Sequence, residues 1–185
     1  MNCHMKRLFL YVCVLLVPGC NVASPVAQAL YSSVGAANKH IGDNGKAFAD
    51  SLKKVLGGDS KALPELTNAH KALLATFDAE LAQLDPKGTA PYHVPTEAKR
   101  VAGGQELYVA FKTYLEAERQ LCAKEYADTV RVLGDPQQTS RARDTLDKAK
   151  LRSQENLKIM QTALQAFYDQ HGFKPPKAFE GWFKE

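Results

Sequence analysis

The sequence predicts an all-α protein: an up-down-up-down four-helix bundle with long antiparallel helices and an aromatic C-terminal tail. Alternating β-branched runs do not occur, and Ala, Leu, Lys, Gln and Glu dominate. Apolar residues recur at helical spacing along separate segments, and Gly and Pro clusters divide them. Short connections between long helices make sequential neighbours antiparallel.

The first helix is expected over about Ser24 to Leu56. Ala27, Val34, Ile41, Phe48 and Val55 recur every seven residues, with Tyr31 and Leu52 between them. Gly42-Asp43-Asn44-Gly45 reads as a turn in isolation, but the heptad passes through it without a change of phase. One long helix with a soft middle follows, its two glycines costing about 2 kcal/mol against alanine. Gly57-Gly58 stops it.

The second helix is expected over about Ser60 to Leu84, with Leu66, Leu73, Phe77, Leu81 and Leu84 as its stripe and His70 in the same row. Pro64 fits only a first turn. The connection from Asp85 to Pro95 carries Pro86, Gly88, Pro91 and Pro95 and reads as a loop. Thr96 is the expected N-cap of the third helix, which runs to Leu133. Its buried face is Leu107, Phe111, Tyr114, Leu115, Leu121, Cys122, Thr129 and Val132, and Gly103-Gly104 weakens its first turns. After the break at Gly134-Asp135-Pro136, the fourth helix runs to about Gln170. Leu146, Ala149, Ser153, Leu157, Met160, Leu164 and Phe167 form its stripe, and Gly172 caps it.

The N-terminus reads as an address. Lys6 and Arg7 precede an apolar run from Leu8 to Val17, followed by Pro18-Gly19-Cys20. A basic start, a short apolar run and a small residue at the cut are the parts of a secretory signal. Ten residues of helix span about 15 Å, against the ~30 Å of a bilayer core. The stretch Leu15-Leu16-Val17-Pro18-Gly19-Cys20 resembles the lipobox of bacterial lipoproteins, with Val17 three before the cysteine and Gly19 immediately before it. Pro18 is an uncommon occupant of the middle position. The resemblance covers the export signal alone. It implies cleavage before Cys20, lipidation of the Cys20 thiol, and a location on the extracytoplasmic side of a bacterial membrane. An ordinary cleaved signal with release of the protein is the alternative. The domain plan is thus a signal over 1–19, a tether over 20–23, a bundle over 24–172 and a tail over 173–185.

Loss of Lys6 and Arg7 lowers the Lys and Arg count from 24 to 22 against 20 acids, a mature charge of about +2. That is too mild to argue for nucleic acid as a partner. Cys3 and Cys13 leave with the signal. Cys122 then has no intramolecular disulfide partner besides the lipid site, so packing must hold the fold.

Sites with specific chemistry are weak. The di-iron pattern Glu-x-x-His does not occur. Glu118 and Glu125 lie seven apart near the stripe of the third helix. They either face His70 and hold a metal or, as we expect, pair with Arg119, Lys124 or a neighbouring helix. Haem would need His70 or Met160 as axial ligand, and both read more simply as core residues. Cys122 on an apolar face reads as an inert thiol. No metal or cofactor is therefore expected, and no catalytic residue. Arg141, Arg143, Lys148, Lys150, Arg152 and Lys158 make the start of the fourth helix basic, either for an anionic partner or as a solvated face. Phe179, Trp182 and Phe183 either dock a partner or close one end of the bundle.

The functional expectation is a non-catalytic interaction or scaffold module at the cell envelope. It is anchored in the membrane through Cys20, meets an unknown envelope protein and is open to homodimerisation. The alternative is a carrier of a small hydrophobic ligand or cofactor within the bundle. An apolar cavity of several hundred Å³ between the helices separates the carrier from the scaffold.

Overall fold

The computed structural model describes residues 24–84 and 98–174, and every regular element among them is helical. Helix α1 spans Pro25–Leu56. Ser24 Oγ accepts from the Ala27 amide at 3.1 Å, and Pro25 occupies the first turn, where its missing N–H costs nothing. The helix is continuous through Gly42 and Gly45. Its middle is braced from both sides. Lys39 and Asp43 pair at 2.9 Å, and Asn44 Nδ2 donates to the His40 carbonyl and to Thr76 Oγ1 on the next helix.

A 3₁₀ turn at Ser60–Ala62, capped by Asp59 Oδ1 on the Lys61 amide, leads into α2, Leu63–Gln83. Helix α3 spans Gly104–Leu121, a π-helical segment covers Cys122–Tyr126, and α4 covers Ala127–Val132. These three form one rod. The expected start at Thr96 lies outside the described residues. Residues 99–103 are turn and bend, so the expected helix over them is corrected. Gly103 has φ 69°, and a Cβ on Gly104 would meet the Ala98 carbonyl oxygen at 2.5 Å. The glycine pair therefore launches the helix from a tight backbone crossing, where other residues would clash or strain. After a second 3₁₀ turn at Pro136–Gln138, α5 runs over Thr139–His171 and stops at Gly172, φ 67°.

Packing follows the expected stripes. Leu66, Leu73 and Phe77 of α2, Leu107, Phe111 and Leu115 of α3, and Met160, Leu164 and Phe167 of α5 are buried together with Leu30, Val34 and Phe48 of α1. Each such side chain contributes about 1.5–3 kcal/mol on removal from water. Contacts across helices run in reverse numerical order. His40 meets Glu80, Asn44 meets Thr76, and Ser51 meets Glu65. Tyr108 meets the Leu84 carbonyl and Arg119 meets Asp78. His171 meets the Ala102 carbonyl, Asn156 meets Glu118, and Arg152 meets Glu125. No described helix is long and apolar enough to cross a membrane.

Helices α1 and α5 meet along a seam with a contact near each end. It is closed at one end by aromatic rings: Tyr31 lies 5.4 Å from Tyr168 and 4.9 Å from Phe173, and its hydroxyl donates to the Lys174 carbonyl. At the other end Arg143 donates to the Leu56 carbonyl at 3.4 Å. Phe173, the first residue of the expected tail, is thus packed on the bundle. Phe179, Trp182, Phe183 and Cys20 lie outside the described residues.

Candidate functional site: a cleft between α1 and α5

Between the two ends of that seam, nearer the Arg143 contact, lies a cleft of about 360 Å³. Its walls come from every long helix. Ile41, Gly45 and Phe48 of α1 face Leu146, Asp147 and Lys150 of α5, and Leu73 and Phe77 of α2 with Tyr114, Glu118 and Tyr126 make the rest. Gly45 is one cause of the opening: a Cβ placed there meets nothing within 4 Å. The residue that softens α1 in the sequence is a gap in the wall of the structure.

The lining is apolar except for a few groups, and one of them is deep. Glu118 is 6% exposed. Its Oε2 accepts from Ser153 Oγ at 2.9 Å and its Oε1 from Asn156 Nδ2 at 3.1 Å, both from α5. No Lys, Arg or His nitrogen among the described residues lies within 4.0 Å of it, whereas the equally buried Glu80 has His40 Nδ1 at 2.9 Å. Burial pushes the Glu118 carboxyl above the ordinary glutamate range, and the two hydrogen bonds only partly oppose that. Its field reaches three neighbours. Burial, then the Glu118 charge, push the Tyr126 phenol and the Cys122 thiol up to about 12 each and raise Tyr114 as well.

Tyr126 and Cys122 sit on the π segment. A π turn widens the helix by one residue and re-aims the side chains around it, which is why such turns gather at functional sites. Here the Ala127 amide reaches back to the Cys122 carbonyl, and His70 Nε2 donates to the same oxygen at 2.8 Å. Phe48 then stands between two rings, 5.2 Å from Tyr126 and 6.1 Å from His70.

The residues singled out in the sequence separate at this point. His70 is committed to the Cys122 carbonyl and does not meet Glu118. Glu125 pairs with Arg152 at 2.7 Å, leaving its Oε2 buried without a hydrogen-bond partner. No group of three or more His, Cys, Asp or Glu side chains gathers at a metal-binding distance among the described residues. Met160 is fully buried in the core. The basic run on α5 is partly structural: Arg141 reaches Asp128, Arg143 the Leu56 carbonyl and Arg152 Glu125, while Lys150 lines the cleft. Sequence reasoning missed Tyr126 and the deep burial of Glu118. The signal for the second was present, because Phe111, Leu115, Glu118 and Cys122 are spaced four, three and four apart.

A broader groove of about 790 Å³ lies between the first half of α1, the end of α2 and the start of α3, and its buried acid is the Glu80 already held by His40. Among known proteins, no family model, no curated sequence and no solved structure matches the chain.

Proposed function

We propose that this protein is a non-catalytic helical bundle, held at the cell envelope by a lipid on Cys20, that carries a small hydrophobic molecule in the cleft between α1 and α5. The observation that carries this reading is the cleft itself. It has a volume of about 360 Å³, within the range of small-molecule sites, apolar walls from every long helix and one deep polar group. The reverse order of contacts between successive helices supports the up-down-up-down arrangement, in which a ligand between α1 and α5 sits along the bundle axis. A thiol with its pKa pushed up to about 12 at Cys122 is a poor nucleophile, which supports a binding rather than a catalytic role.

The carrier takes precedence over the scaffold because a specific feature favours it. The docking reading rests on Phe179, Trp182 and Phe183, outside the described residues. Among the described residues the exposed large apolar side chains are Val109, Leu151 and Ile159, on two different helices.

Mass spectrometry of protein extracted from membranes tests both parts. Under denaturing conditions the mature chain is expected to begin at Cys20 and to carry the mass of a diacylglyceryl group. Under native conditions it is expected to carry a further small molecule that is lost on unfolding. An unmodified Cys20 contradicts the anchor, and a ligand-free chain that also excludes apolar probes contradicts the carrier.

A further inference from the structure

Resting on the cleft as a ligand site, we infer that its occupant is a lipophilic amine: an apolar body bearing a protonated nitrogen that pairs with Glu118. A carboxylate removed from water is strongly disfavoured unless a cation meets it. Each of the other buried or half-buried glutamates has a basic side chain against it: Glu80 has His40 and Glu125 has Arg152. Glu118 has only the neutral donors Ser153 and Asn156. Those two bonds fix the carboxyl's orientation and use one acceptor position on each oxygen, so each keeps a second for an N–H donor.

The surrounding charges and rings favour the same ligand. The titratable groups facing the cleft are Glu118 and Tyr114 from α3, Tyr126 from the π segment, and Asp147 and Lys150 from α5; α1 and α2 contribute Ile41, Gly45, Phe48, Leu73 and Phe77. With Glu118 ionised the acids outnumber the cation by one, so a cationic ligand balances the site and an anionic one does not. Phe48, Phe77, Tyr114 and Tyr126 line the cleft and give it the aromatic surface that suits an ammonium and its apolar body. A neutral ligand leaves the carboxyl without a counter-charge.

Isothermal titration of the purified protein with a matched pair of probes, 1-naphthylmethylamine and 1-naphthylmethanol, tests the inference at neutral pH. The two share one ring system and differ in charge. The amine is expected to bind about tenfold more tightly. In Glu118→Gln that advantage is expected to disappear. The Gln side chain keeps the local bonds, its oxygen accepting from Asn156 and its amide donating to Ser153 Oγ. A pH series on the unaltered protein needs no variant: the advantage is expected to shrink as pH is lowered and Glu118, whose carboxyl burial holds above the ordinary glutamate range, takes up a proton. Equal affinity for both probes at neutral pH, or an advantage that survives in Glu118→Gln or at low pH, overturns the amine assignment and leaves the cleft as an apolar site. Failure of both probes to bind overturns the cleft and the amine together.

Discussion

His70 and Cys122 meet across the bundle where α3 passes into its π segment: His70 Nε2 donates to the Cys122 carbonyl oxygen at 2.8 Å. The same oxygen takes the Ala127 amide, five residues on, in the bond that defines the π turn. A carbonyl only accepts, so Nε2 carries a proton. Helix α2 thereby holds the widened turn that presents Tyr126 to the cleft. His70→Phe keeps a ring beside Phe48 and removes the donor. It is expected to cost about 1 kcal/mol of stability, read from the midpoint of urea unfolding.

Gly42 and Gly45 make a contrasting pair. Neither Cβ would meet an atom within 4 Å. Gly42→Ala is expected to stabilise the protein by about 0.5–1 kcal/mol, because the helix loses a residue that is costly to order. Since Gly42 does not line the cleft, uptake of an apolar probe by Gly42→Ala is expected to match the unaltered protein.

Glu118 makes stability depend on pH in one direction. Its carboxyl is raised in the folded protein, so above the ordinary glutamate value of 4.5 the folded state holds more protons than the unfolded chain. Stability therefore falls as pH rises from that value through the folded one. Glu118→Gln removes this dependence. Its stability relative to the unaltered protein is expected to rise as pH is raised from the ordinary glutamate value of 4.5, measured by chemical unfolding at each pH.

Cys122 is fully buried and its thiol is pushed up to about 12. At mildly alkaline pH it is expected to resist iodoacetamide in the folded protein and to react fully in denaturant, with peptide mapping to identify the site. Rapid labelling of Cys122 in the native protein is the contrary result.

The helices were legible because burial imposes a period. Leu66, Leu73 and Phe77, or Met160, Leu164 and Phe167, are stripes before they are a core. What escaped was set by backbone geometry or by a partner helix. Gly103-Gly104 looked like a weakness in α3 because composition does not reveal a φ of 69° or the approach of the Ala98 carbonyl. The π segment left one trace in the pattern, the adjacent burial of Leu121 and Cys122, where a single stripe would bury one of them. Glu118 was legible as a residue near the stripe. Its donors Ser153 and Asn156 belong to α5, and only the register of two helices brings them together. The opening at Gly45 was read along the helix, as softness, and its effect lies sideways, as space.

Fluorescence titration with the neutral apolar probe N-phenyl-1-naphthylamine, run on the unaltered protein and on Gly45→Leu, bears most directly on the cleft as a ligand site. A Cβ at this position meets nothing within 4 Å and leucine improves helix propensity, so the unfolding midpoint is expected to stay level or rise. The cleft predicts saturable enhancement at one probe per chain, and a loss of affinity of about tenfold or more in Gly45→Leu. No saturable enhancement in the unaltered protein, or undiminished binding in a stably folded Gly45→Leu, contradicts it.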